Sequence, residues 1–215
     1  MHPADCPEWN YDKFPNRSAV LSTVIKSLYQ ELRLGRVNSL DILKDTRPAH
    51  KSLFIQLTPK GFEYFAGNYR GSAHRCLEHY AVMVHGDPRV GAPPNIVVKL
   101  MADLSDLIHK TVLDVDQIMS QPDSQLSEAQ KILYLVAMVC NFFQYFLRIH
   151  PYADGNGHTA RFCVWAFLGR YNFWLRDWPV EPRPSDPPYR ELIVKHRNGD
   201  KTPLENFILK CMVKY

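Results

Sequence analysis

Apolar residues along the chain recur mostly at helical spacing. Between Ser18 and Leu34 they fall at Val20, Leu21, Val24, Leu28 and Leu32, which predicts an amphipathic helix that Gly35 ends. Asn38–Ser39–Leu40–Asp41 reads as the cap of a short second helix. Ser52 to Leu57 fits neither period, and Thr58–Pro59–Lys60–Gly61 is a break. From Asn95 to Val112, Val97, Leu100, Met101, Leu104, Leu107 and Ile108 share one side of a helix. Ser127 caps the longest apolar segment, Ile132 to Ile149, whose second half has only Asn141, Gln144 and Arg148 as clearly polar positions. A helix apolar nearly all round is one enclosed by others. After a turn comes another apolar helix, from about His158 to Leu168, then a proline-rich loop from Pro179 to Pro188, and a terminal helix opened by Pro203–Leu204–Glu205. Cys76–Val84 alternates loosely and ends at His85–Gly86–Asp87–Pro88, with Val90–Gly91–Ala92–Pro93–Pro94 following, and these two short extended arms around a Gly-Asp turn predict a hairpin. The first 15 residues are polar and punctuated by proline, and read as a poorly ordered lead-in. The predicted fold is mostly α with one short β-hairpin.

Composition adds limits. The chain has 215 residues, 46% hydrophobic and 22% charged, which fits one globular domain and excludes disordered and collagen-like classes. A formal charge of +4 admits an anionic ligand without the basic stripe that DNA binding would need. Five cysteines, Cys6, Cys76, Cys140, Cys163 and Cys211, are odd in number and widely spaced, so neither a disulfide framework nor a CxxC metal site is expected. Cys140 and Cys163 read as small buried hydrophobes. No basic and apolar leader is visible at the N-terminus, and the longest strictly apolar run, Ile132–Cys140, has nine residues. A membrane span needs roughly 20, so the expectation is a protein of the cytoplasm, or one delivered into a host cytosol, with no membrane partner.

The chemistry concentrates in His150–Pro–Tyr–Ala–Asp–Gly–Asn–Gly–His–Thr–Ala–Arg161. Pro151 stops the preceding helix. Asp154–Gly155–Asn156–Gly157 forms a tight turn, because Gly and Asn tolerate positive φ. The next helix starts at once, so the N–H groups of Gly155 to His158 and the positive end of the helix dipole form an anion site suited to phosphate. Asp154 at its rim is placed to hold a Mg²⁺ that bridges phosphate oxygens. Arg161, one turn on, reaches back to a second phosphate. His150 is the nearby group whose ordinary pKa suits a general base near neutral pH. A base, a metal ligand, main-chain donors and an arginine are the parts of phosphoryl or nucleotidyl transfer.

This segment resembles the signature of the Fic domain family, HPFx(D/E)GNGRxxR. Seven of nine specified positions match outright: His150, Pro151, Asp154, Gly155, Asn156, Gly157 and Arg161. Tyr152 stands for Phe, and His158 stands where arginine is usual. Gly67–Asn68–Tyr69–Arg70 looks like the family's Gly-x-Tyr-Arg stretch, and Gly199–Asp200, Pro203–Leu204 and Phe207 look like its closing segment. The likeness covers about residues 60 to 210, which divides the chain into an N-terminal helical extension, 1–60, and a catalytic domain, 61–215.

The resemblance implies a Fic-like helical bundle with a hairpin flap and a transfer of AMP from ATP to a Tyr, Thr or Ser hydroxyl of a target protein. His150 would be the base and Asp154 would ligate Mg²⁺. Gly155, Asn156, Gly157, His158 and Arg161 would bind the nucleotide, and the flap residues Tyr80, Val82 and Val84 would dock the target. The family's inhibitory (S/T)xxxE pattern is partly met by Ser27 and Glu31. An inhibitory partner protein is a further expectation. Because Arg and His bind phosphate differently, another nucleotide donor stays open. So do a non-catalytic nucleotide-binding module and a hydrolase that removes such a modification.

Overall fold

The computed structural model describes residues 5–84 and 87–214. Its centre is the most apolar segment of the chain. Ser127 caps this segment through a capping box with Gln130, and the helix runs over Glu128–Ile149. We number the helices in chain order: α1 Arg17–Arg33, α2 Ser39–Lys44, α3 Arg47–Phe54, α4 Pro94–Ser120, α5 Glu128–Ile149, α6 Asn156–Arg170, α7 Tyr189–Arg197 and α8 Thr202–Cys211. Helix α5 packs against α4, α6, α7 and α8. By length and composition α5 is apolar enough to cross a membrane, but Leu135, Val136, Val139, Cys140, Phe143 and Phe146 are all fully enclosed by the protein itself. Removing side chains of this size from water stabilises the fold by about 1.5–3 kcal/mol each, before entropy.

The elements follow the sequence pattern with instructive departures. Helix α4 is longer than predicted, because its buried stripe continues through Val112 and Val115. Helices α3 and α7 were not predicted. Pro48 lies in the first turn of α3, where a missing N–H costs nothing. Helix α7 starts immediately after the proline-rich loop and buries only Tyr189 and His196, so its apolar stripe is weak.

The expected hairpin is not formed: residues 76–84 carry turns and extended coil but no strand, and His85 and Gly86 lie outside the described residues. The two-stranded antiparallel sheet is elsewhere. It joins β1, Phe173–Leu175, to β2, Met212–Lys214, with Trp174 opposite Val213.

The N-terminal segment also differs from expectation. From Asp5 onward it is part of the fold, and Trp9 is buried beneath it. Cys6 and Cys76 form a disulfide, with Cα atoms 5.5 Å apart across 70 residues of sequence. Two chain-distant segments are thereby tied, a pairing that the odd cysteine count concealed. Cys140 and Cys163 are buried free thiols, as expected.

A second apolar cluster gathers Trp9, Leu21, Phe54, Phe65, Leu77 and Ala153. It spans residues on both sides of position 60, so the N-terminal segment and the motif loop share one core.

Candidate active site

The motif loop lies between α5 and α6. His150 is the C-cap of α5, with φ 54° and ψ 61°. That left-handed conformation is unfavourable for a residue with a Cβ, and Arg70 holds it. The Arg70 guanidinium is wholly buried and donates to the carbonyl oxygens of His150, Ile149, Tyr80 and Ala92. Its main-chain N–H donates to Pro151 O at 2.8 Å. A cation at the C-terminal end of α5 also opposes the helix dipole. Burial among carbonyls lowers the Arg70 pKa to about 10.

His150 Nδ1 lies 3.2 Å from Leu147 O. This assigns the proton to Nδ1, and Nε2 keeps its lone pair. Burial, with the nearby Arg70 and Arg197 charges opposing a further cation, lowers its pKa to about 4. The imidazole is neutral at pH 7.

The loop is fixed from behind. Tyr152 is fully buried, its hydroxyl 2.6 Å from Thr46 Oγ1. His50 stacks on the Tyr152 ring at 3.6 Å. His50 Nδ1 accepts from Gly67 N and Nε2 donates to Asp154 O at 3.0 Å, so its tautomer is set by both neighbours. Burial keeps it neutral, with a pKa of about 3. The Asn156 side chain bonds both main-chain groups of Tyr152, which leaves the Asn156 main-chain N–H as its contribution to an anion site. Gly155 has φ 75°, and a Cβ there would lie 2.3 Å from the Phe54 ring.

Helix α6 begins at Asn156 with no side-chain cap. The amides of its first residues, Asn156, Gly157 and His158, therefore have no intrahelical partner. The Gly155 amide differs from expectation, because it donates to Asp154 Oδ1 at 2.8 Å. The other Asp154 oxygen accepts from the Tyr11 amide at 3.1 Å. Burial outweighs these two bonds and raises the Asp154 pKa to about 6.

The described residues contain no group of three or more His, Cys, Asp or Glu able to hold a metal ion. Asp154 lines a cavity with Glu8 and Asp12, and it is not among the residues of the cavity that holds His150, Gly157 and Arg161.

His158 and Arg161 are arranged differently from the sequence expectation. His158 Nε2 is 2.5 Å from Glu181 Oε2, and its Nδ1 is 3.5 Å from the Tyr11 hydroxyl. Both ring nitrogens are engaged, so the His158 side chain links two distant segments and has no donor left for a phosphate. Burial outweighs Glu181 and lowers the His158 pKa, while this hydrogen bond lowers that of Glu181. At pH 7 the pair is a neutral imidazole donating to a carboxylate. Arg161 is buried and donates to Val180 O through Nε and Nη2. Its Nη1 is directed toward Gly157, 3.1 Å from where a Cβ would sit.

A cavity of about 630 Å³ is lined by His150, Gly157 and Arg161 together with Val84, Arg183, Arg190 and Arg197. Asp87 accepts from Arg89 and from Arg197, which ties the segment after residue 86 to α7. These two guanidinium groups hold the Asp87 carboxyl well below its ordinary range.

Of the three residues expected to dock a target, Tyr80 is buried against Phe65 and Val82 is half-buried, whereas Val84 lines the cavity. Among the described residues, the main-chain groups of Ala81, Val82 and Met83 pair with nothing, and Met83 is 92% exposed. Glu31 is paired with Arg36 at 3.0 Å on the surface and is not among the groups around Arg161. The carboxylate beside His158 and Arg161 is Glu181, which carries no motif signal in the sequence. Tyr11 and His50 were equally invisible, because each meets the loop from more than 100 positions away.

Known proteins agree with this architecture. A family model described as Fic/DOC matches residues 50–168, more than half of the chain, and the protein belongs to that family. The fold is similar to that of the crystal structure of BepC, a VirB-translocated effector protein from Bartonella tribocorum with bound AMPPNP. The TM-score is 0.62 at 13% sequence identity, covering 100% of this chain and 96% of that one. No curated protein matches the sequence.

Proposed function

We propose that the protein transfers a nucleotidyl group, AMP from ATP, onto a Tyr, Thr or Ser hydroxyl of a target protein. The observation that carries this reading is one cavity bringing together the neutral His150 imidazole, Gly157 in the first turn of α6 and the buried Arg161. The AMPPNP bound to BepC supports a nucleotide as the ligand.

In this reading the Asn156, Gly157 and His158 amides receive phosphate oxygens, and Arg161 Nη1 holds the end of the polyphosphate. His150 Nε2 accepts the proton of the attacking hydroxyl. The hydroxyl oxygen forms a bond to the α-phosphorus as the bond to the β-phosphate oxygen breaks, and pyrophosphate leaves. The unpaired edge at Ala81–Met83 is where an extended target segment adds as a strand.

The test is intact-mass analysis after incubation with Mg²⁺ and, separately, ATP, UTP, GTP, CTP or CDP-choline. An adduct on the protein itself or on lysate proteins identifies the group moved. A protein that binds ATP but gives no adduct from any donor is instead a non-catalytic nucleotide-binding module.

A further inference from the structure

The cavity that holds His150 is cationic. Its wall carries five guanidinium groups, those of Arg89, Arg161, Arg183, Arg190 and Arg197, and one carboxylate, that of Asp87. Both oxygens of this carboxylate are taken. Oδ1 accepts from Arg89 N at 3.0 Å and Arg89 Nε at 2.9 Å. Oδ2 accepts from Arg89 Nη2 at 2.9 Å and Arg197 Nη1 at 2.6 Å. Asp154, the carboxylate of the motif, lines the other cavity, and each of its oxygens accepts a main-chain N–H. Among the described residues, no unpaired carboxylate lines the cavity of His150. A nucleotide's divalent cation is commonly held by one or two carboxylates of the protein, and this lining does not supply them.

What the lining supplies is guanidinium. Arg161 donates to a neutral group, Val180 O, and keeps its full charge. Arg183 and Arg190 share one acid, Asp186, at 3.9 and 3.0 Å, and both are exposed at the rim. Even with Asp186 and Glu181 counted behind the wall, guanidinium groups exceed carboxylates by five to three.

Arg197 is the informative one. Its side chain is 8% exposed, Asp87 holds its Nη1, and its Nε has no hydrogen-bond partner. A buried N–H of a charged group left without an acceptor is costly. A phosphate oxygen entering this cavity would provide the acceptor. The Arg197 charge is also felt at His150, where it opposes protonation of the imidazole.

Resting on the nucleotidyl-transfer reading, we propose that arginine side chains hold the donor's polyphosphate in place of a divalent cation. Arg197 gives its Nε–H to a phosphate oxygen near His150, Arg161 takes the terminal phosphate, and Arg183 and Arg190 offset charge at the rim. Guanidinium groups and metal ions serve a polyphosphate in the same two ways, by offsetting its charge and by fixing its oxygens.

The test is calorimetry on the full chain with two probes, ATP and inorganic tripolyphosphate, each in Mg²⁺ and in EDTA, beside the melting temperature. Wild-type protein should bind ATP in EDTA within about threefold of its affinity in Mg²⁺. Arg197→Gln keeps a donor for Asp87 and removes the charge and the Nε–H. It should weaken both probes about tenfold or more in EDTA, and so should the double variant Arg183→Gln with Arg190→Gln. Arg36→Gln, an exposed arginine outside the cavity, loses one charge as well and should change affinity by less than about twofold. Melting temperatures of all the variants should match wild type. A loss greater than about threefold on moving wild-type protein from Mg²⁺ to EDTA, or wild-type affinity in Arg197→Gln, would overturn the proposal and leave the transfer reading standing. Tripolyphosphate bound in EDTA through Arg197, with no adduct formed from any donor, would support the arginine site while the transfer reading failed. Wild-type protein that binds neither probe would overturn the proposal.

Discussion

Two nitrogens of the Arg70 guanidinium, Nε at 2.9 Å and Nη2 at 2.7 Å, donate to the carbonyl oxygen of His150. The same guanidinium bonds Tyr80 O and Ala92 O, on either side of the segment that includes the unpaired edge at Ala81–Met83. One buried cation therefore ties the proposed general base to the surface proposed to receive the target. Arg70→Met leaves several buried carbonyls without donors. The expected cost is about 3 kcal/mol or more, or a fall of about 10 °C in melting temperature. Arg70→Lys should recover little of this, because an ammonium cannot span the same acceptors. Calorimetric melts of the two variants against wild type check the prediction. A change of under about 1 kcal/mol would show that the carbonyls find other donors.

Gly155 and Gly157 serve different purposes, and alanine separates them. At Gly155, φ is 75° and a Cβ would overlap the Phe54 ring, so Gly155→Ala should lower stability by about 3 kcal/mol. Adding Phe54→Leu should relieve the overlap but not the backbone strain, and so recover part of the loss. At Gly157 a Cβ would fill the 3.1 Å gap to Arg161 Nη1. Gly157→Ala should keep its melting temperature and lose ATP affinity about tenfold or more. Urea unfolding and calorimetry on the three proteins test both halves.

Glu181 places a carboxylate beside His158 and Arg161, at the end of the site assigned to the polyphosphate. Glu181→Gln preserves the shape and a hydrogen-bond partner while removing one negative charge. ATP binding should strengthen by about threefold to tenfold, since like charge near a phosphate is unfavourable. Unchanged affinity across a range of salt would place the phosphates elsewhere.

The buried histidines predict an unusual titration. His150, at about 4, and His50, at about 3, should keep neutral-imidazole chemical shifts down to pH 5 in NMR, whereas an ordinary imidazole titrates near 6.5. Both folded values are depressed, so each group leaves stability untouched above about 6.5 and lowers it as the pH falls from there toward the folded value. The slope is about 1.4 kcal/mol per pH unit for each. Midpoints near 6.5 in the folded protein would mean that water reaches both rings.

The motif loop was legible in the sequence because its logic is local. A helix stop at Pro151, a positive-φ turn at Gly155 and an uncapped α6 all follow from adjacent residues, and so did the enclosed helix α5. What supports the loop was not legible, because it comes from far along the chain. Tyr11 and His50 reach Asp154 across 143 and 104 positions, and Glu181 reaches His158 across 23. No periodicity records such contacts. The N-terminal segment looks unstructured by composition, yet one tryptophan and one disulfide give it a fixed place. The expected hairpin shows no strand among the described residues for the converse reason: its alternation is real, but Tyr80 turns into the second apolar cluster and the described main chain beyond it pairs with no strand. His158 shows the limit of reading a side-chain role from a motif position, since both of its ring nitrogens are committed within the protein.

The most direct measurement is intact-mass analysis of wild-type and His150→Ala protein incubated with Mg²⁺, ATP and a cell lysate, with ATP affinity measured in parallel. The account predicts an adenylyl adduct in the wild-type reaction only, with ATP bound equally well by both proteins. An adduct formed as fast by His150→Ala would contradict the assignment of His150 as the base.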